Sequence, residues 1–251
     1  MTHTSKTPKD VLDFAKKQEA KQLDLRFTDL PGLQQHLSYP LSELTESSFE
    51  EGFGIDGSSI RGWAAINESD MLLIPDISRF WIDQFMDRPT LCIATDVVDP
   101  ITRESYWLDP RALAKRAENY LKFTGVADTV FFGPEAEFFI FDQVSFHNEN
   151  HSSGATVDSS EGWWNTASDS NKLGWAIRGK EGYVPCPPLD SIHNIRSEIA
   201  AKLKDVGLTV ECHHHEVATA GQCEIDFRYF GLHQFCESEI QKFDAAFFCD
   251  E

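Results

Sequence analysis

The 251-residue chain has no apolar run approaching the roughly 20 residues of a membrane-spanning helix; the longest are Met71–Ile74 and stretches such as Phe138–Phe141. Its opening, Met1 to Pro8, lacks the apolar segment of a secretory signal, so a cytoplasmic protein is expected. Basic residues are scarce: 22 Lys and Arg stand against 41 Asp and Glu, for a formal charge of −19. Such a charge repels phosphate backbones and anionic lipids and argues against nucleic-acid or membrane partners. Six cysteines (Cys92, Cys186, Cys212, Cys223, Cys236 and Cys249) include no CxxC pair, which suits a reducing cytosol better than a disulfide framework. No Walker-type GxxxxGK[ST] occurs, so if the protein uses ATP it holds the phosphates by another device. Gly52-Phe-Gly54-Ile-Asp-Gly57 matches GxGxxG literally, but the preceding Glu46–Glu51 is no buried strand, and a dinucleotide site requires one.

What is present describes a packed protein. Hydrophobic residues make up 41% and charged ones 25%, which excludes global disorder. Thr7-Pro8-Lys9-Asp10 reads as a helix cap followed by a first-turn proline and an acid, with Val11, Phe14 and Ala15 as the apolar stripe. Leu23, Leu25 and Phe27 alternate with polar residues, as a strand does, and residues 32–37 supply a hairpin return. Met71–Ile74 and Thr90–Val97 read as buried strands. Asp109-Pro110 opens a helix carrying Leu113, Ala114, Ala117, Tyr120 and Leu121, which Gly125 stops. Val130–Phe132 and Ala136–Phe141 are strand-like. Polar residues dominate from His147 to Asn171, and the expectation there is a long loop or flap. Asp190 is expected to cap a helix carrying Ile192, Ile195, Ile199 and Leu203, closed by Gly207; strands over Leu208–Val217 and Gln222–Phe227 follow. The expected class is α+β, with a small strand-rich unit over residues 1–103, a second unit over 104–229 and a tail over 230–251.

Three segments carry chemistry. Asp56-Gly57-Ser58-Ser59 places an acid and two hydroxyls on a tight turn, a pattern that turns also favour for conformational reasons alone. In Gly133-Pro134-Glu135-Ala136-Glu137-Phe138, strand geometry points Glu135 and Glu137 to one face and Ala136 and Phe138 to the other. Two carboxylates that close need a compensating cation in a dry site, unless the strand end is simply solvated. In Glu211-Cys-His-His-His-Glu216, alternation sets Cys212, His214 and Glu216 on one face and Glu211, His213 and His215 on the other. Neighbouring imidazoles thus diverge, and the pattern is not HExxH on a helix, which argues against a three-histidine zinc site. Glu216 and Glu224, joined by Glu135 and Glu137, form a hard oxygen set that favours Mg2+ or Mn2+.

Taken together, the motifs resemble glutamine synthetase of the bacterial type I form. The matching stretches are Asp56–Trp63 with Ile66–Met71, Gly133–Phe139, Gly182-Tyr183-x-Pro-x-Pro-Pro188, and His213–Gln222 with Glu224. The resemblance implies a β-grasp-like first domain and the first half of a catalytic α+β domain. It also implies ATP-dependent ligation of ammonia to L-glutamate through a γ-glutamyl phosphate, with Mg2+ or Mn2+. By the same resemblance, Glu137, Glu216 and Glu224 match the ligands of the cation beside glutamate, and Glu135 matches a ligand of the cation bridging the ATP phosphates. Glu211 matches a nucleotide-contacting residue and His214 a histidine near the phosphates. Asp56 matches the acid that binds ammonium, while Ser59 and Tyr183 match residues near that entrance. Like subunits are the implied partners, in a dodecamer where Asp56 serves the neighbouring site.

The motif likeness ends at Tyr229, and the tail carries five Phe and two Cys. This leads to the expectation of a chain truncated within the catalytic domain and inactive alone. Two other readings stand beside it: a non-catalytic fragment associating with intact synthetase subunits, and a related ligase joining glutamate to another amine.

Overall fold

The structure is a computed structural model describing residues 7–165 and 176–231. They form two compact units: residues 7–132, 205–208 and 229–231, and residues 133–165, 176–204 and 209–228.

The first unit begins with α1 (Pro8–Lys17), started by a capping box in which the Asp10 amide donates to Thr7 Oγ1 and the Thr7 amide donates to Asp10. Its Val11 and Ala15 are buried, and Phe14 meets Phe80 edge to face. Then come β1 (Gln22–Thr28), β2 (Gln34–Pro40), the single turn α2 (Ser48–Glu51), β3 (Phe53–Asp56), β4 (Asp70–Ile82) and β5 (Thr90–Val98). They build one sheet in the order β2-β1-β5-β4-β3, parallel only between β1 and β5. Leu23, Leu25 and Phe27 enter the core as the alternation requires. The polar face of β1 is buried too: Arg26 bonds Asp24 at 2.9 Å and Asp83 at 2.6 Å, so the charges are taken out of water only in pairs. β4 extends far beyond Met71–Ile74, because an irregularity between Pro75 and Phe80 lets it continue past a residue that cannot donate to the ladder.

α3 (Pro110–Thr124) starts at Asp109, whose carboxylate accepts the amides of Arg111 (2.9 Å) and Val97 (3.3 Å); Gly125, at φ +69°, stops it. Arg111 reaches from this helix to Asp96 on β5 (2.7 Å) and to Asp76 on β4. Burial works against the charged form of Asp76, but Arg111 and Ser78 outweigh it and hold the carboxyl at about 2. These contacts tie α3 to the first sheet. The division by packing falls between Phe132 and Gly133, after β6 (Phe131–Phe132).

The second unit contains β7 (Glu135–Phe139), β8 (Gln143–Glu149), β9 (Ser152–Asp158), α4 (His193–Asp205), β10 (Val210–His215) and β11 (Gln222–Phe227); β12 (Phe230–Gly231) returns to pair with β6 in the first. Two expectations change here. The segment expected to be a loop or flap from His147 instead forms the antiparallel hairpin β8–β9, closed by Glu149 opposite Ser152; residues 166–171 of that stretch lie outside the described residues. β8 is exposed on both faces, so it carries no period-2 apolar signature. Asp190, expected to cap α4, precedes the helix and instead clasps Arg196 at 2.9 and 2.5 Å, both side chains being buried. Among the described residues no helix is long and apolar enough to cross a membrane.

Two measurements follow. Burial pushes Asp109 up to about 6, so the folded state holds this proton more tightly than the unfolded chain, where Asp titrates near about 4. Stability from this group is lost as pH rises from about 4 to about 6. Urea unfolding should show the stability of D109N gaining on the wild type by roughly 2–3 kcal/mol across that window; a flat difference would contradict the assignment. R196M, which strands the buried Asp190 carboxylate, should cost about 3–5 kcal/mol, and D190N/R196M should cost less than R196M alone.

Candidate metal centre

Three strands carry the centre, in the order β10-β11-β7. Their register sets residues in rows across the sheet: His214, Glu224 and Glu137 in one, Cys212, Asp226 and Glu135 in the next. Side chains alternate along each strand, so both rows rise from one face. The rows that alternate with them, His213-Ile225-Ala136 and His215-Cys223-Phe138, point to the other face, where Ile225, Cys223, Ala136 and His215 are buried. α4 contacts that side through Arg196, 3.9 Å from Cys223, and through His193 beside His213. An irregularity between Val210 and Cys212 absorbs Glu211 and fixes which face the following residues take.

Beyond the end of β10 lies Glu216, largely buried. His214 stands between two acids, with Nδ1 3.5 Å from Glu216 and Nε2 3.6 Å from Glu224, and donor atoms of all three lie within 4.8 Å of one another. Glu135, Glu224 and Asp226 form a second such group. Gln222 donates to Glu137 at 2.8 Å and with its carbonyl accepts the Ala218 amide at 2.6 Å, fixing that carboxylate to the turn before β11.

Two observations test whether a divalent cation fits. Glu216 Oε2 is a buried acceptor with no hydrogen-bond donor. Glu224 is pushed up to about 8 by burial, then by its hydrogen bond with Glu216 and the charges of Asp226, Glu216 and Glu137. Without a counter-charge the cluster would have to take up a proton; a cation held by carboxylate oxygens would relieve both conditions. The donor sets His214/Glu216/Glu224 and Glu135/Glu224/Asp226 therefore fit a hard divalent ion.

Support comes from behind. His215 Nδ1 faces the carbonyls of Gly182 (2.7 Å) and Glu216 (3.0 Å), and Nε2 faces Glu161 at 3.1 Å. With acceptors on both ring nitrogens, its pKa is raised although burial alone would lower it. Burial alone would likewise raise Glu161, but bonds from His215, the Gly221 amide and Ser191 hold it at about 2. Glycine is required at two supporting positions: Gly221 has φ +81° and a Cβ there would collide with Ile140 O, and a Cβ on Gly182 would come within 2.7 Å of Glu216 O.

Of the residues singled out in the sequence, Glu135, Glu137, His214, Glu216 and Glu224 come together, and Tyr183 packs edge to face on His214 at 5.4 Å. Glu211 does not join them; it is exposed and 3.5 Å from Arg228, because the strand irregularity turns it elsewhere. Asp56 and Ser59 belong to the first unit. The Asp56 carboxylate accepts Ser58 N, Ser58 Oγ (2.6 Å) and Ser59 Oγ (3.0 Å), and these bonds, Ser58's foremost, lower its pKa. Sequence reasoning missed Asp226 and Glu161. Asp226 was within reach, two residues from Glu224 and so on the same face. Glu161 had no local signal, since its partners lie 30 to 60 residues away.

Comparison with known proteins bears on this geometry. The family profile described as glutamine synthetase, beta-Grasp domain, matches residues 19–100. That described as glutamine synthetase, catalytic domain, matches residues 107–242, continuing past Tyr229. Glutamine synthetase of Methylococcus capsulatus is 49% identical over 242 residues, covering 96% of this chain and 50% of that protein; the Aquifex aeolicus protein is 50% identical over 226 residues, covering 90% and 48%. A cryo-electron microscopy structure of Plasmodium falciparum glutamine synthetase superposes with a TM-score of 0.88 at 25% identity, over 98% of this chain and 49% of that one. The chain spans about half the length of the curated relatives it matches. Two profile matches in family order and half-identical relatives along nearly all the chain lead to one conclusion: the chain belongs to the glutamine synthetase family.

Proposed function

We propose that this chain is the amino-terminal and first catalytic portion of a protein that joins ammonia to L-glutamate with cleavage of ATP. The observation carrying the reading is the row of His214, Glu224 and Glu137 beside Glu216, whose buried oxygen lacks a donor. A free carboxylate is a poor electrophile, so the glutamate side chain must first be phosphorylated; ammonia then attacks the γ-glutamyl carbonyl and phosphate departs. Divalent cations, Mg2+ or Mn2+, when bound, offset the charge gathering about the transferring phosphoryl group.

This chain's residues take roles accordingly. Glu137, Glu216 and Glu224 hold the cation beside glutamate, and Glu135 helps hold the one beside the ATP phosphates. Gln222 keeps Glu137 turned toward its neighbours. His214, between Glu216 and Glu224, presents an imidazole toward the phosphates, with Tyr183 against its ring. Glu211, on the exposed irregularity, faces the nucleotide. Asp56, kept ionised by the hydroxyls of Ser58 and Ser59, offers a fixed negative charge to ammonium and receives its proton. On this reading like subunits assemble, Asp56 serves the neighbouring site, and a sequence without a CxxC pair suits a cytoplasmic location.

Mn2+ titration of the 251-residue chain, followed by loss of the free-ion paramagnetic resonance signal, tests the centre. The wild type should bind, while E216Q and E224Q should each weaken binding by about tenfold or more. Unchanged affinity in both variants would remove the observation on which the reading rests.

A further inference from the structure

The face that carries the carboxylates also carries a different donor set. Cys212 on β10 lies opposite Asp226 on β11, with its thiol donating to Asp226 Oδ2 at 2.7 Å. His214 follows two residues along β10 on the same face. One donor atom each from Cys212, His214 and Asp226 lies within 4.8 Å of the others. Cys212 is exposed and the other two are half-buried, so the group has solvent access on one side and strand backbone on the other.

We infer that Cys212, His214 and Asp226 form a binding site for a borderline-soft divalent ion of the zinc class, distinct in ligand chemistry from the adjoining carboxylate centre. Sulfur, imidazole and carboxylate together are a zinc-type set, and three protein donors with an open side leave the fourth position to water. Mg2+, which demands oxygen ligands, has no use for the thiolate. Binding expels the thiol proton to solvent and replaces the hydrogen bond between Cys212 and Asp226 with two bonds to the ion. The two centres share His214, so zinc bound here withdraws that imidazole from its place between Glu216 and Glu224. Occupancy by zinc therefore opposes use of the neighbouring centre. This inference goes beyond the proposed activity and stands whether or not that activity is found.

The test reads the thiol. The 251-residue chain is alkylated with iodoacetamide, alone, with Zn2+ or with excess Mg2+, and the labelling of Cys212 is followed by peptide mass spectrometry, with the exposed Cys186 as internal reference. Zn2+ should slow Cys212 labelling by about tenfold or more, because the metal occupies the sulfur that iodoacetamide attacks; Mg2+ should not slow it, and Cys186 should be unaffected. H214N and D226N should each lose most of the protection. A Cys212 rate unmoved by Zn2+, equal protection of Cys186, or protection persisting in both variants would overturn the assignment. Co2+ supplies a second readout that does not depend on those variants. A thiolate-to-metal absorption band should form with the wild type and be lost in C212S, a conservative change at an exposed position; a band of equal strength in C212S would refute the site.

Discussion

Carboxylates gathered on one sheet face repel one another, and this constraint governs the second unit. Burial, the hydrogen bond with Glu216 and the charges of Asp226, Glu216 and Glu137 together push Glu224 up to about 8. Free side chains would swing apart; these are held by a ladder whose register admits no alternative, since a slip of one residue would send every acid into the apolar face. The opposing face supplies the anchor, with Ile225 and Cys223 buried and Arg196 locked to Asp190. Repulsion on one side is tolerated because packing on the other fixes the strands.

Behind the ladder, Glu161 and His215 solve a related problem. His215 sits on the buried side with both ring nitrogens engaged, and its Nδ1 bond to the Glu216 carbonyl restrains the backbone from which that carboxylate projects. The first unit uses the same chemistry in its interior: Arg26 with Asp24 and Asp83, and Arg111 with Asp76 and Asp96, take charges out of water as pairs. Acids withdrawn from solvent therefore include both satisfied internal pairs and an unsatisfied cluster. The cluster is the part that calls for an ion from outside.

Much of this was legible in the sequence where local rules decide. The capping box at Thr7, the Pro110 start and Gly125 stop of α3, and the alternation of Glu135 with Glu137 and of Cys212 with His214 and Glu216 all depend on neighbours within a few residues. Failures came where tertiary context overrode the pattern. β8 and β9 are wet on both faces and so look like loop. Asp190, placed where a cap is expected, was drawn off by Arg196. The buried polar face of β1 required knowing that Asp83 would meet Arg26 across 57 residues.

The reach of Glu161 has a last consequence. Its one carboxylate joins Ser191, His215 and Gly221, at separations of 30, 54 and 60 residues. Closing loops of that length costs entropy before any contact repays it, so no contiguous peptide can prepare the centre locally. The histidine-rich stretch and its flanking glutamates are thus not a transplantable cassette: grafted onto another sheet without residue 161, they would bring the ligands but leave behind the brace that aims them.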